Sequence, residues 1–104
     1  MQRAIGLQHR HSLPENHGML FCFPSERIHT FHMLNTLVPL DILHFNRNGV
    51  LVGFIDSATP LSTEPLTPQV PSTYVLEVKA GWRRRHDIHV GDRMFFDPRT
   101  SWPT

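Results

Sequence analysis

Cysteine, lysine and long hydrophobic runs are scarce in this sequence of 104 residues. With Cys22 as its one cysteine the chain cannot form an internal disulfide, and in "MLFCFP" this residue is expected to be a small buried side chain. The longest apolar runs fall well short of the roughly 20 residues that a membrane-spanning helix needs. No basic and then apolar leader begins the chain. These absences predict a soluble protein without a membrane span, and they leave open whether it is cytoplasmic or exported after leader removal.

The sequence also lacks an excess of charge of either sign. Ten basic and nine acidic residues give a formal net charge of +1 with histidine neutral. Such a weak overall field does not favour nucleic acid, and the short run Arg83, Arg84 and Arg85 is expected to decorate one end of a helix. We therefore predict no nucleic-acid partner.

Histidine, in contrast, is abundant, with eight residues. Three pairs have short spacings that could suit a metal ion: His9 with His11, His29 with His32, and His86 with His89. No pair is accompanied by the cysteines or carboxylates that make a strong zinc motif. The histidines of these three pairs are therefore predicted to lie at the surface, and we expect no bound metal and no cofactor.

Short apolar or alternating segments, separated by turn residues, predict strands along most of the chain. The pair Asn48-Gly49 predicts a type I′ hairpin that joins Pro39–Phe45 to Val50–Ile55. Four prolines between residues 57 and 72 exclude a helix there and predict a long connection. The other predicted strands are "GMLFCF", which Pro24 ends, "RIHTFHM", "TYVLEVKAG", in which Glu77 is expected to be solvated, and "IHVGDRMFF" after a turn.

One short helix, over one or two turns between Trp82 and His86, completes these elements. Many short strands, frequent turns and little helix indicate an all-β, or mainly β, fold. We predict a jelly-roll-like sandwich or half-open barrel with one short helix, in a single domain that covers residues 1–104.

Four fragments, "GMLFCF", "FHMLNTLVPLDILHF", "YVLEVKAG" and "IHVGDRM", resemble the DUF192 (UPF0127) family of small prokaryotic proteins in order and spacing. The most specific match is the element N-T-x-x-P-L-D, which this chain forms with Asn35, Thr36, Pro39, Leu40 and Asp41. The resemblance implies a mainly β, jelly-roll-like or barrel-like domain whose biochemical function is not established. This sequence has His32 where the family has Trp, and Gln8 where it has Met. Only five residues precede Gly6, so the family's first strand is expected to be missing, which would expose a sheet edge through which copies could associate.

The segment "FHMLNTLVPLDILHF" places the carboxylate of Asp41 within an apolar run. Pro39 removes a ladder donor and favours a bend, which would bring Asn35 and Asp41 together. In a structural interpretation, these two side chains accept backbone N–H bonds across the bend. In a functional interpretation, His32, Asn35, Thr36 and Asp41 line a pocket and bind a polar ligand. Both interpretations stay open on the sequence alone.

Three functions follow from this segment. The favoured one is non-catalytic binding of a small polar or saccharide-like ligand, or of a partner. The first alternative is a hydrolase that uses Asp41 with His32. The second is an assembly module without a pocket, which would form homo-oligomers. No G-x-S-x-G, Cys–His or helical metal motif is present, so no catalytic residue is assigned.

Overall fold

A computed structural model of the protein describes residues 12–31, 33, 36–62, 65–66 and 70–95. Within these residues four strands form one antiparallel sheet in the spatial order β1–β4–β2–β3, and there is one short helix. The elements are β1 (Gly18–Arg27), β2 (Leu40–Phe45), β3 (Leu51–Ala58), β4 (Ser72–Lys79) and α1 (Trp82–Arg85). The sheet does not close into a barrel. The predicted mainly β fold with one short helix is confirmed.

The hairpin between β2 and β3 forms where Asn48-Gly49 predicts it. The Asn46 side-chain oxygen accepts the backbone N–H groups of Asn48 and Val50. The N–H of Gly49 donates to the Asn46 carbonyl, and φ is positive at Gly49 but not at Asn48. The turn is therefore a type I turn followed by a left-handed glycine, not the predicted type I′ turn.

The two central strands, β4 and β2, separate two hydrophobic clusters because side chains alternate between the faces of a strand. One cluster defines the first face of the sheet, and its buried members are Leu13, Phe21, Phe23, Met33, Leu40, Ile42, Ala58 and Val75. The other defines the second face, with Leu43, Phe45, Leu51 and Val78 buried and Tyr74, Leu76, Trp82, Ile88 and Met94 packed against them. All six residues of β2 are buried, so both faces of this strand are covered.

Coverage of both faces overturns two expectations about polar side chains. Glu77, predicted to be solvated, is only 8% exposed, because it lies on the first face of a central strand. His29, predicted to lie at the surface, is 7% exposed; its ring stacks on Phe23 at 3.7 Å, and its Nε2 lies 3.1 Å from the Ser72 carbonyl. His86 and His89 are exposed, as predicted.

Three strand boundaries also differ from the prediction. Strand β1 continues through Pro24 to Arg27 with a register irregularity, which an outer position in the described sheet allows. The first residue of "RIHTFHM", Arg27, ends β1 and pairs with Ser72, and the rest of this segment contributes to the described pairing only an isolated bridge between Phe31 and Leu66. The final predicted strand is reduced to a bridge between Val50 and Arg93. The predicted loss of the first family strand, together with His9, His11 and His32, lies outside the described residues.

Candidate functional site

The carboxylate of Asp41 is fully buried near the start of β2, on the second face of the sheet. Its Oδ1 accepts the N–H of Ser57 at 2.9 Å and that of Gly81 at 3.1 Å. Its Oδ2 accepts the N–H of Arg83 at 2.9 Å. The structural interpretation is therefore confirmed in part: Asp41 is a buried carboxylate that accepts backbone N–H bonds, but the donors lie in β3 and at the start of α1 and not across the bend at Pro39.

Asp41 fixes the position of helix α1. The helix has four residues, and its N-cap, Gly81, is left-handed and provides no side-chain cap. The first N–H groups of a helix have no acceptor within the helix itself. Because Asp41 supplies acceptors from a neighbouring strand, it performs at a distance the task of a local capping residue.

Arg83 attaches the same helix to β3. Its guanidinium donates to both carboxylate oxygens of Asp56 at 2.8 Å and to the Ile88 carbonyl at 2.8 Å, and it lies 3.9 Å above the centre of the Phe54 ring. The hydrogen bond from Arg83 holds the pKa of the Asp56 carboxyl below its ordinary value. Arg83 is therefore a buried anchor, 7% exposed, rather than one of three arginines that decorate a helix end.

An open groove of about 540 Å³ lies on the second face, between the start of β1, the end of β4 and helix α1. Strand residues form an apolar floor, and Trp82 and His86 line the groove from the helix side. The segment before β1 contributes the opposite polar wall. The lining residues are Glu15, Asn16, His17, Gly18, Leu20, Leu76, Val78, Trp82 and His86.

Charged and aromatic contacts order the rim of this groove. Arg85 donates to both Glu15 carboxylate oxygens at 2.9 and 2.7 Å, and the His86 Nε2 lies 3.0 Å from one of them. The hydrogen bond from Arg85, followed by that from His86, lowers the pKa of the Glu15 carboxyl. The rings of Trp82 and His86 lie 4.4 Å apart. The groove therefore combines an apolar surface with fixed hydrogen-bonding groups, the usual composition of a small-molecule site.

Of the four residues predicted to bind a ligand, the structure describes Thr36 and Asp41, and neither lines this groove. Thr36 is buried; its N–H donates to the Met33 carbonyl, and its own carbonyl accepts the N–H of Leu61. Met33 packs into the core of the first face, whereas Asp41 bonds to groups on the second. His32 and Asn35 lie outside the described residues, so the common location of Asn35 and Asp41 stays a prediction. A ligand-binding role for His32, Asn35, Thr36 and Asp41 likewise stays a prediction.

The groove residues were missed because they come from distant parts of the chain. Glu15 and His86 are 71 positions apart and meet only because β1 pairs with β4. Two sequence features could have indicated this pairing: the glycine that begins "GMLFCF" and the clean alternation of "TYVLEVKAG". Once Gly18 is opposite Val78, the residues that precede β1 and those that follow β4 are necessarily neighbours.

The part of the chain that the structure describes contains neither a candidate metal site nor a candidate membrane-spanning helix. No group of three or more histidine, cysteine, aspartate or glutamate side chains there could hold a metal ion. None of the helical residues described forms a segment that is long and apolar enough to cross a bilayer.

Comparisons with known proteins identify relatives that match most of this chain. The family model DUF192, whose description reads "Uncharacterized ACR", matches residues 1–96. A protein from Sinorhizobium meliloti 1021, described as a "putative transcription regulator", is 37% identical with a TM-score of 0.85; the match covers 88% of this chain and 71% of that one. A protein of unknown function from Novosphingobium aromaticivorans DSM 12444 is 33% identical with a TM-score of 0.84, over 88% of this chain and 66% of that one. No curated protein matches this chain.

Proposed function

Because this chain belongs to the DUF192 family, whose members are uncharacterised, we propose its function from the groove rather than from the fold: non-catalytic binding of a small, polar, saccharide-like ligand. The observation that carries this proposal is the composition of the groove. A tryptophan ring and an apolar floor face a carboxylate, an amide and two imidazoles within about 540 Å³.

The chemistry of a saccharide matches this composition. A sugar ring presents C–H groups on its faces and hydroxyls around its edge. The ring of Trp82 offers a large flat surface for the C–H face. Glu15 accepts hydrogen bonds, while Asn16 and His17 can each donate and accept them, which suits hydroxyl groups.

The groove is also ordered without its ligand. Arg85 and His86 hold Glu15, so its carboxylate does not have to be immobilised when a ligand binds. Asp41 and Arg83 fix the helix that presents Trp82. Such preorganisation reduces the entropy lost on binding and so improves affinity.

Asp41 has an indirect role in this proposal, as the residue that positions α1. A variant such as Asp41→Ala that retained its fold should therefore lose stabilisation by the ligand without having lost a direct contact. The hydrolase alternative requires a carboxylate that substrate can reach, and the Asp41 carboxylate is enclosed by three backbone amides. We therefore do not propose catalysis.

The fluorescence of Trp82 provides the test. The chain has two tryptophans, so a Trp102→Phe background leaves Trp82 as the only tryptophan. We would titrate this protein with a panel of neutral and acidic mono- and disaccharides. A ligand that occupies the groove should shift or quench the Trp82 emission in a saturable manner.

Two neighbouring histidines give a matched control pair. His86→Ala removes a group that lines the groove and should weaken binding about tenfold, as expected for the loss of one hydrogen bond. His89→Ala removes an exposed imidazole that does not line the groove and should leave binding unchanged. Absence of any hit, or equal loss in both variants, would refute the proposal. A mass that rises with concentration, measured by light scattering, together with no hit would instead favour the assembly module.

A further inference from the structure

A second cleft, of about 450 Å³, lies at the opposite end of β4 from the groove, beside the β2–β3 turn. Two arginines line it, together with an amide and two aromatic side chains. The lining residues are Arg47, Asn48, Gly49, Tyr74, Arg93, Met94 and Phe95. We propose that this cleft binds a small ligand in which a phosphate, or a similar anion, is attached to a planar ring, with the size of a mononucleotide.

The charge of the cleft favours an anion. Arg47 and Arg93 both line it, and no carboxylate does so among the described residues. Glu26 accepts the backbone N–H of Arg47 at 2.8 Å, and its Oε2 forms a long ion pair of 3.9 Å with the Arg47 Nε. The Arg47 side chain is 72% exposed, so its other N–H donors face solvent and can bind a ligand. No ion pair to Arg93 is formed within the described ranges. Arginine presents a planar fork of N–H donors that matches the oxygens of a phosphate.

The aromatic side chains favour a ring next to that anion. Phe95 is 81% exposed, the highest exposure of any large hydrophobic side chain described. Tyr74 lines the same cleft from the central strand β4. An exposed ring that adjoins a cationic cleft is suited to stacking on a planar ligand, a contact that stabilises binding of nucleobases in general.

The backbone holds the cationic wall in place. The Met94 N–H donates to the Gly49 carbonyl at 2.7 Å, and the Leu51 N–H donates to the Asp92 carbonyl at 2.8 Å. A Cβ at Gly49 would lie 2.9 Å from the Met94 carbonyl oxygen, so this close approach requires glycine. Because the segment that carries Arg93 is fixed against the turn that carries Arg47, the backbone places the two arginines beside the same cleft.

Calorimetric titration of the full chain with AMP tests the proposal. Adenosine, which lacks the phosphate, and inorganic phosphate, which lacks the ring, test the two parts of the ligand separately. We expect saturable binding of AMP, with adenosine and phosphate each at least about tenfold weaker. Arg47→Gln and Arg93→Gln should each weaken AMP binding about tenfold, and Phe95→Ala should weaken it about fivefold. Arg27→Gln, a change at another exposed arginine, should not weaken it.

Thermal unfolding of each variant shows whether its fold is intact. We expect an intact fold because the substituted side chains are exposed or line an open cleft. The proposal is overturned if AMP does not bind, if Arg27→Gln weakens binding as much as Arg93→Gln, or if adenosine binds as tightly as AMP. Binding of a single-stranded oligonucleotide without binding of AMP would also overturn it.

Discussion

On the second face of the sheet, three backbone N–H groups satisfy the buried carboxylate of Asp41, and Asp56 satisfies the buried guanidinium of Arg83. On the first face, neither ring nitrogen of the fully buried His44 has a hydrogen-bond partner among the described residues. Glu77 is buried on that same face, where burial raises the pKa of its carboxyl to about 7. Asp41 and Arg83 on the second face are therefore buried with hydrogen-bond partners, whereas His44 on the first face is buried without one among the described residues.

This difference separates two uses of a buried polar side chain. A fully hydrogen-bonded group fixes the relative positions of the elements it joins, as Asp41 and Arg83 do for helix α1. A buried titratable group without such bonds instead makes the stability of the fold depend on pH, because its charged form is disfavoured inside. The hydrogen bonds of Asp41 and Arg83 fix the helix that lines the groove, and Glu77 and His44 on the first face make the stability of the fold change with pH.

The largest effect on the free energy of unfolding is expected when the hydrogen bonds of the buried Asp41 carboxylate are disrupted. In Asp41→Asn, an NH₂ group takes the place of one acceptor oxygen and points at a backbone N–H. We therefore expect the free energy of unfolding to fall by about 3–5 kcal/mol. Urea unfolding measures it. Asp87→Asn is the control, since the Asp87 side chain is 89% exposed and its change should stay within about 0.5 kcal/mol. Equal effects of the two substitutions would show that Asp41 is not an anchor.

The next effect concerns Glu77 on the first face. Its carboxyl binds a proton more tightly in the folded chain than in the unfolded one, so it contributes stability below its ordinary pKa of 4.5 that is lost as the pH rises to about 7. Glu77→Gln should remove this loss, which makes the variant more stable than the wild type by about 3 kcal/mol at pH 8 and equally stable at pH 4. Urea unfolding at both pH values measures the difference. A constant difference across the pH range would contradict this account.

The smallest effect at neutral pH is expected at His44. Burial, and then the charge of His29, lowers the pKa of His44 to about 4. Because its neutral form is favoured in the fold, His44 contributes stability above its ordinary pKa of 6.5 that is lost as the pH falls toward 4. His44→Leu removes an unsatisfied polar ring and should stabilise the protein by about 1 kcal/mol at pH 7.5, with a larger gain at pH 5.

Thermal and urea unfolding at the two pH values check this expectation. His89→Leu, at an exposed histidine, should change stability little at either pH. If His44→Leu is destabilising and the difference does not grow in acid, the His44 ring has a hydrogen-bond partner beyond the described residues, and the contrast between the two faces is lost.

Much of the fold can be predicted from local sequence. Asn48-Gly49 locates the hairpin, and alternation locates β4, because turn geometry and side-chain periodicity are properties of short segments. The environment of a residue depends on what covers its face of the sheet, and alternation alone does not show that. For this reason the sequence pattern assigns Glu77 to solvent although both faces of β4 are covered.

The candidate site could be predicted only in part. A structural role for Asp41 followed from the presence of a carboxylate in an apolar run, but its partners at Gly81 and Arg83 could not be identified from sequence spacing. The groove depends on contacts between segments near residues 15 and 86, which no local pattern joins. The pairing of β1 with β4 had to be known first.

The long sequence separation between Asp41 and its hydrogen-bond partners has a consequence for the order in which the elements of the fold form. Its three partners lie 16, 40 and 42 positions away along the chain. An isolated helix of four residues is not stable, so α1 becomes ordered only after the strands that carry and surround Asp41 have come together. We expect these contacts to form after the transition state, so their removal should accelerate unfolding while refolding keeps nearly its original rate.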